Sequence, residues 1–182
     1  EYVVQPVPEE TPSAEFTATG DAEGTLENVE PGMRYSTDGG QSWFVIAGTE
    51  VSAGGVTPQN GIFVYRPGNG TTTVDSEKQV IKVTQAEDPE GVEATACTTS
   101  DQNDGTITGV DVSMEYKAKS DVVWTDITGS TADGLKPGTY EVRVKASGTM
   151  LASKSVTVEV KQYEAQEKPP VEEDPEQKPN GG

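Results

Sequence analysis

The sequence predicts an all-β protein made of two tandem antiparallel β-sandwiches. Three observations carry this prediction: short apolar runs that alternate with polar residues, many turn-forming residues, and an internal repeat. The 182 residues include 20 glycines and 12 prolines, but only 32% are hydrophobic and 6% aromatic. This composition favours many short strands joined by turns around thin aliphatic cores.

The internal repeat is the strongest indication of domain organisation. Shifted by 81 positions, residues 14–49 align without a gap with residues 95–130. After a short length change, residues 61–66 align with residues 138–143, now with a shift of 77 positions. Because order, spacing and residue class are kept over this length, we expect two copies of one domain.

The repeat divides the chain into five parts. They are a Pro/Glu-rich linker (residues 1–13), β-sandwich repeat 1 (residues 14–86), a linker (residues 87–92), β-sandwich repeat 2 (residues 93–162) and an acidic, Pro-rich spacer (residues 163–182). Proline removes backbone donors and like charges repel, so both ends are expected to be flexible.

Strict alternation of apolar and polar residues predicts strands in repeat 2 at residues 114–117, 140–146 and 156–160. One apolar face per strand indicates antiparallel sheets packed face to face. We expect each copy to fold independently around its own core. The predicted core positions are Leu26, Val29, Met33, Tyr35, Phe63 and Tyr65 in repeat 1, and Ile107, Val110, Met114, Tyr116, Tyr140 and Val142 in repeat 2.

Residues 105–160 resemble a repeat common in large surface proteins of Gram-positive bacteria, whose members resemble immunoglobulin-like or fibronectin type III modules. The segment Leu135–Tyr140 is similar to the fibronectin type III turn before a core tyrosine, although one residue shorter. The resemblance implies an Ig-like/fibronectin type III-like sandwich at the bacterial cell surface or outside the cell, beside enzymes, adhesins or anchoring domains. It carries no catalytic residue.

Charge and residue inventory exclude several functions. A net charge of -18 repels polyanions, so nucleic-acid binding is not expected. No run approaches the roughly 18 to 20 apolar residues that span a membrane, so this fragment is not expected to insert. The single cysteine, Cys97, is interpreted as a small core residue, because the chain has no histidine to activate it. We predict a monomer without enzymatic activity and without a cofactor.

Two loops resemble known motifs. Ser36–Trp43 fits the pattern Ser-x-Asp-x-Gly-x-x-Trp of the Asp-box, a structural hairpin in sialidases and other propellers. The stretch with Asp101, Asn103 and Asp104 before a glycine resembles the start of a calcium loop, in which oxygen ligands alternate along the chain. A later bidentate glutamate is missing. A polar turn is favoured there, with calcium as the alternative.

The tryptophans leave two functions open. Trp43 and Trp124 recur at one repeat position, where they either pack or form an exposed platform for sugar rings, widened by Phe44 in repeat 1. The leading hypothesis is a non-catalytic structural module that spaces or presents neighbouring domains. The alternative is an adhesin-like module that binds cell-wall or host glycans or proteins through these three residues.

Overall fold

The computed structural model describes residues 5–165, in which every regular element is a strand. The strands are β1 (Val7–Pro8), β2 (Glu15–Ala18), β3 (Glu23–Glu27), β4 (Arg34–Ser36), β5 (Phe44–Val45), β6 (Glu50–Gly54), β7 (Ile62–Tyr65), β8 (Thr73–Val74), β9 (Gln79–Ile81), β10 (Thr84–Gln85), β11 (Glu93–Thr95), β12 (Gly105–Thr108), β13 (Met114–Ala118), β14 (Thr125–Asp126), β15 (Ala132–Leu135), β16 (Gly138–Val144), β17 (Met150–Leu151) and β18 (Val156–Val160). No helix able to cross a bilayer occurs among these residues.

Each repeat contains one three-stranded and one four-stranded antiparallel sheet. The sheets of repeat 1 run β2-β3-β6 and β5-β4-β7-β9, and those of repeat 2 run β11-β12-β15 and β14-β13-β16-β18 in the corresponding order. Two small antiparallel sheets of this kind closing on one apolar core form an Ig-like, fibronectin type III-like sandwich. The predicted all-β fold class is therefore confirmed.

Two apolar clusters lie between the sheets. The buried members of the first are Ala14, Phe16, Ala18, Leu26, Val29, Met33, Tyr35, Ile46, Ala53, Val56, Ile62, Val64, Val83 and Leu151. Those of the second are Cys97, Ile107, Val110, Ile127, Ala132, Leu135, Tyr140, Val142 and Val160. Met114 and Tyr116 pack against the second cluster while partly buried. Cys97 is a buried free thiol, as predicted.

The prediction that Phe63 and Tyr65 belong to the core is wrong. Val64 lies opposite Tyr35 in the sheet, just as Val142 lies opposite Tyr116 in repeat 2. The shift between the copies is therefore 78 positions along β7, one more than the sequence alignment gave. Because a one-residue slip reverses every side chain of a strand, Val64 and its neighbour Ile62 fill the core instead.

The gapless alignment also fails at the first strand of each repeat. Phe16 lies opposite Leu26, and Ala94 lies opposite Ile107, so these two positions correspond with a shift of 78. Repeat 2 therefore has three more residues than repeat 1 in the loop between its first two strands. Insertions in surface loops cost little free energy, so the sandwich is unchanged.

Part of the amino-terminal linker lies against repeat 1. Val7–Pro8 pairs in parallel with Thr73–Val74, and Pro12 is buried. This pairing differs from the expectation of a flexible segment, because a neighbouring loop supplies the hydrogen-bond partners. Residues 1–4 of this linker and residues 166–182 of the predicted spacer lie outside the described part of the chain.

Candidate functional site

The two repeats meet at a built junction. The base of a repeat is here the loop between its first two strands together with the residues after its last strand. At the base of repeat 1, β10 pairs in parallel with β17, which belongs to the loop between β16 and β18 of repeat 2. We call this loop, residues 145–155, the plug loop.

A two-residue turn shapes the plug loop. Ser147 and Met150 exchange both backbone hydrogen bonds at 2.9 Å, and Gly148 between them has a φ of +55°. A positive φ at this position suits glycine, which gives the loop a tight tip. The carbonyl of Gly148 accepts a hydrogen bond from the amide of Ala18 at 2.8 Å, so the tip contacts the base of repeat 1.

Leu151 joins the plug loop to the core of repeat 1. Its side chain is fully buried, and it belongs to the first apolar cluster although it lies in repeat 2. The next residue, Ala152, is also fully buried and donates its amide hydrogen to the carbonyl of Gly20 at 2.9 Å. Burial of a leucine side chain stabilises the docked state by roughly 1.5–3 kcal/mol.

A buried serine fixes the end of the plug loop. Ser153 is 1% exposed, accepts a hydrogen bond from the amide of Val144 at 2.9 Å, and donates to the carbonyl of Lys154 at 2.8 Å. In the linker, Asp88 accepts a hydrogen bond from the amide of Lys154 at 3.0 Å. These bonds tie the carboxyl end of the plug loop to the end of β16 and to the linker.

The sequence signal for this junction was present but weak. Met150, Leu151 and Ala152 form a continuous apolar run directly after a turn, whereas the flanking strands alternate. Apolar side chains in such a loop do not lie on a strand of either sheet, so they are not buried between the sheets of their own repeat. Such a run lacks the alternation that marks a strand, and nothing in its own repeat indicates that its side chains fill a neighbouring domain.

The structure separates the three residues of the predicted ligand platform. Phe44 lies beside Tyr35, with ring centroids 5.4 Å apart, whereas Trp43 makes an edge contact of 4.7 Å with Tyr65. Tyr35 and Tyr65 point to opposite faces of the same sheet, as do Trp43 and Phe44 because adjacent strand residues alternate. Trp124 is in the other repeat, so no common surface of the three residues is formed by one sheet.

Cations of repeat 2 cover the ring of Trp124. The guanidinium of Arg143 lies 4.1 Å from the ring centroid, and the ammonium of Lys117 lies 5.2 Å from it. Arg143 is also paired with Glu115 at 2.7 Å, and Lys117 with Glu141 at 3.2 Å. The outer face of this sheet therefore carries two ion pairs whose cations lie over the indole ring of Trp124.

The same face of repeat 1 carries more apolar side chains, although Arg34 lies between Val45 and Tyr65. Trp43 and Tyr65 are half-buried there, and Val45 and Val80 are 65% and 50% exposed. Lys78 approaches the Trp43 ring at 5.3 Å. These residues are called the outer patch of repeat 1.

The predicted Asp-box is a hairpin staple, as its residue pattern indicated. Asp38 accepts hydrogen bonds from the Ser36 hydroxyl at 2.7 Å and from the Ser42 amide at 2.9 Å. These bonds, led by the one from the Ser42 amide, lower the pKa of Asp38 to about 2. The indole N–H of Trp43 donates to the carbonyl of Gly40 at 3.1 Å and closes the turn.

The candidate calcium residues are only partly engaged. Asp104 accepts hydrogen bonds from the amide and hydroxyl of Thr98, and the hydroxyl bond is the main cause of its lowered pKa. Asp101 and Asn103 are exposed. Within residues 5–165, no group of three or more acidic, cysteine or histidine side chains forms a metal site. A polar turn stays the prediction for this loop, with calcium binding as the alternative.

A groove of about 790 Å³ runs beside the junction. Residues 85–90, which comprise the end of repeat 1 and the start of the linker, form one wall, and Met114, Val144 and Lys154 of repeat 2 form the other. The groove exists because the two repeats are docked, which makes it a consequence of the junction.

Comparison with known proteins adds a distant structural likeness. No protein-family model matches the chain, and no curated protein matches it. Among solved structures, the chain is similar to the FN1–FN3 domains of chicken CNTN1, with 13% sequence identity and a TM-score of 0.29. The match covers 83% of this chain and 65% of that one. The sandwich assignment made above rests on strand order and register.

Proposed function

We propose that this chain is a non-catalytic structural module of a bacterial cell-surface or secreted protein, in which two docked sandwiches hold neighbouring domains at a fixed spacing. The observation that carries the proposal is the burial of Leu151 in the core of the other repeat. A spacer made of freely hinged domains has no need for such a contact, whereas a spacer of defined length and direction does.

The remaining features agree with a spacing role. The junction combines a buried apolar side chain with backbone hydrogen bonds in both directions, which resists both bending and twisting. The net charge of -18 keeps the surface soluble and disfavours nucleic acid and anionic membranes as partners. The proposal includes a monomeric state and a location outside the cell, on the basis of the sequence resemblance.

Backbone ¹⁵N relaxation of the full chain tests the proposal. We expect residues of both repeats to report one common rotational correlation time. The variant Leu151→Asp is expected to give two shorter correlation times, because a carboxylate cannot stay buried without a partner. The control Val122→Asp changes a residue of repeat 2 that is 90% exposed, and should leave tumbling unchanged. Independent tumbling of the repeats in the unmodified chain would refute a fixed spacing.

A second candidate function is the binding of a carbohydrate or host ligand. The observation that favours it is the outer patch of repeat 1, where an aromatic pair lies beside two exposed valines. Flat aromatic rings stack on the apolar faces of sugars. Trp124 contributes less to such a role, because Arg143 and Lys117 already occupy its ring.

A glycan array followed by titration calorimetry separates the two candidates. Specific binding below the millimolar range that is lost in Trp43→Ala, but kept in Trp124→Ala, would favour the binding module. The absence of such binding in the folded chain would leave the spacer as the function that the junction supports.

A further inference from the structure

Repeat 1 has a loop that corresponds to the plug loop. It joins β7 to β9, and it contains β8 where the plug loop contains β17. Ser76 fixes this loop as Ser153 fixes the plug loop: its hydroxyl accepts a hydrogen bond from the amide of Arg66 at 2.9 Å and donates to the carbonyl of Glu77 at 2.8 Å. Val74 in this loop therefore corresponds to Leu151, 77 positions later.

The amino-terminal segment occupies this loop in a defined register. Val7–Pro8 pairs in parallel with Thr73–Val74. The amide of Val7 donates to the carbonyl of Thr72 at 3.1 Å, and the amide of Glu9 donates to the carbonyl of Val74 at 2.9 Å.

The junction between the repeats has the same register, 77 positions later. Thr84–Gln85 pairs in parallel with Met150–Leu151. The amide of Thr84 donates to the carbonyl of Thr149 at 3.2 Å, and the amide of Ala86 donates to the carbonyl of Leu151 at 3.0 Å. Val7–Glu9 thus pairs with the loop of repeat 1 in the same way that the carboxyl end of repeat 1 pairs with the plug loop of repeat 2.

The two surfaces differ in what covers them. Leu151 is fully buried by the base of repeat 1, whereas Val74 is 44% exposed. Asp75 stands where repeat 2 has Ala152, and its carboxylate accepts a hydrogen bond from the amide of Gly68 within the same loop. We call Val7 and Val74 with this loop the loop surface of repeat 1.

The sequence on both sides of Val7–Glu9 extends the correspondence. Val3 and Val4 precede Val80 and Ile81 of the last strand of repeat 1 by 77 positions, and Pro12 precedes Pro89 by the same distance. The spacing is that of a repeat end followed by its linker.

We propose that the loop surface of repeat 1 is a docking surface for the base of a β-sandwich module of the same kind, whose last strand continues into Val7–Glu9. This inference rests on the proposed function, because it extends the fixed spacing by one junction. The base of the partner module should resemble the base of repeat 1. It should have an apolar core that is open to the side chain of Val74, and a loop between its first two strands that forms backbone hydrogen bonds with the loop surface.

The test adds one module in front of residues 7–182. Residues 14–83 are joined directly before Val7, so that Val83 is followed by Val7 as it is by Thr84 in the chain itself. With the added module isotope-labelled by segment, we expect its rotational correlation time to equal that of the rest of the chain. Val74→Asp in the extended chain should give the added module a separate, shorter correlation time. In the original 182-residue chain, the same substitution should leave the melting temperature unchanged.

A second variant tests whether the smaller side chain of Val74 makes the docking contact too weak to detect. Val74→Leu restores the side chain of the other junction, and should raise the melting temperature of the added module. The inference is overturned if the added module tumbles independently with Val74 and with Leu in its place, while Leu151 still couples the original pair. If repeats 1 and 2 also tumbled independently of each other, both this inference and the proposed function would be overturned.

Discussion

Repeat 1 and repeat 2 share their strand order but close the bases of their cores differently. The base of repeat 1 is filled by Leu151 from the other repeat. Repeat 2 uses Tyr163, the first residue of the predicted spacer, which packs on the second cluster while its amide donates to the Gln102 side chain at 2.8 Å, so the ordered part of repeat 2 extends past residue 162. Two copies with matching core positions are therefore not equally autonomous, and repeat 1 should depend on repeat 2 for part of its stability.

The largest effect is expected from a core truncation in repeat 2. Tyr140→Ala should cost repeat 2 about 4 kcal/mol, by the rule for large-to-small substitutions of buried aromatic residues. Because unfolding repeat 2 also removes Leu151 from repeat 1, repeat 1 should lose stability too. Urea titrations in Trp124→Phe and Trp43→Phe backgrounds report the two repeats separately.

The control for this variant is Tyr140→Phe. It keeps the ring but removes the hydrogen bond that the Tyr140 hydroxyl donates to the carbonyl of Lys136 at 2.9 Å. A loss of about 1 kcal/mol is expected in repeat 2 alone. If Tyr140→Ala unfolded repeat 2 and left the Trp43 transition unchanged, the dependence of repeat 1 would be disproved.

Leu151→Ala tests the same dependence without unfolding repeat 2. We expect a loss of about 3 kcal/mol, typical of a buried leucine, in the transition reported by Trp43 of repeat 1. Val74→Ala at the corresponding exposed position should change stability by less than about 0.5 kcal/mol. A loss seen only through Trp124 would place the contribution of Leu151 in its own repeat.

One ion pair in each repeat predicts a smaller difference. Arg143→Ala leaves Glu115 without its partner in a pair whose side chains are only 12% and 13% exposed, and should cost about 1–3 kcal/mol. The comparison in repeat 1 is Arg66→Ala, which breaks a more exposed ion pair at a different position of the sandwich, since its partner Glu30 is 60% exposed. That pair should contribute less than about 1 kcal/mol. Equal losses in the two variants would show that burial does not distinguish the pairs.

Acid should act on repeat 1 through Asp38. The folded state holds the pKa of Asp38 near 2, below its ordinary value of 3.8, so its contribution is present above pH 4 and disappears as the pH falls towards 2. Asp38→Asn should therefore flatten this part of the melting profile that Trp43 reports between pH 5 and pH 2. An unchanged slope in the variant would remove Asp38 as the cause.

The strands and the Asp-box turn could be predicted from the sequence because both depend on residues that are neighbours in the chain. Alternation identified strands such as residues 156–160, and the Asp-box residues Ser36–Trp43 close their own turn. The errors at Phe63 and Tyr65 arose because one extra residue between the copies reverses the faces of a strand. Only the pairing of Val64 with Tyr35 fixes that register, and pairing is not visible in one sequence.

The candidate site was harder to predict than the fold. Leu151 is an ordinary apolar residue, and its role depends on which core it enters rather than on its chemistry. The Trp43–Phe44 platform failed as a single surface for a local reason, since neighbouring strand residues face opposite ways. The coverage of Trp124 by Arg143 depends on the cross-strand arrangement of three strands.

The unfolding free energies of the separated halves test the central claim most directly. Residues 91–182 alone keep Val92, which packs against the second cluster, and should retain the stability of repeat 2 in the full chain to within about 1 kcal/mol. Residues 1–90 alone should lose about 3 kcal/mol, the magnitude expected for an emptied leucine site. Trp124 and Trp43 are the respective reporters. If residues 1–90 alone were as stable as repeat 1 in the full chain, Leu151 would not complete the core of repeat 1.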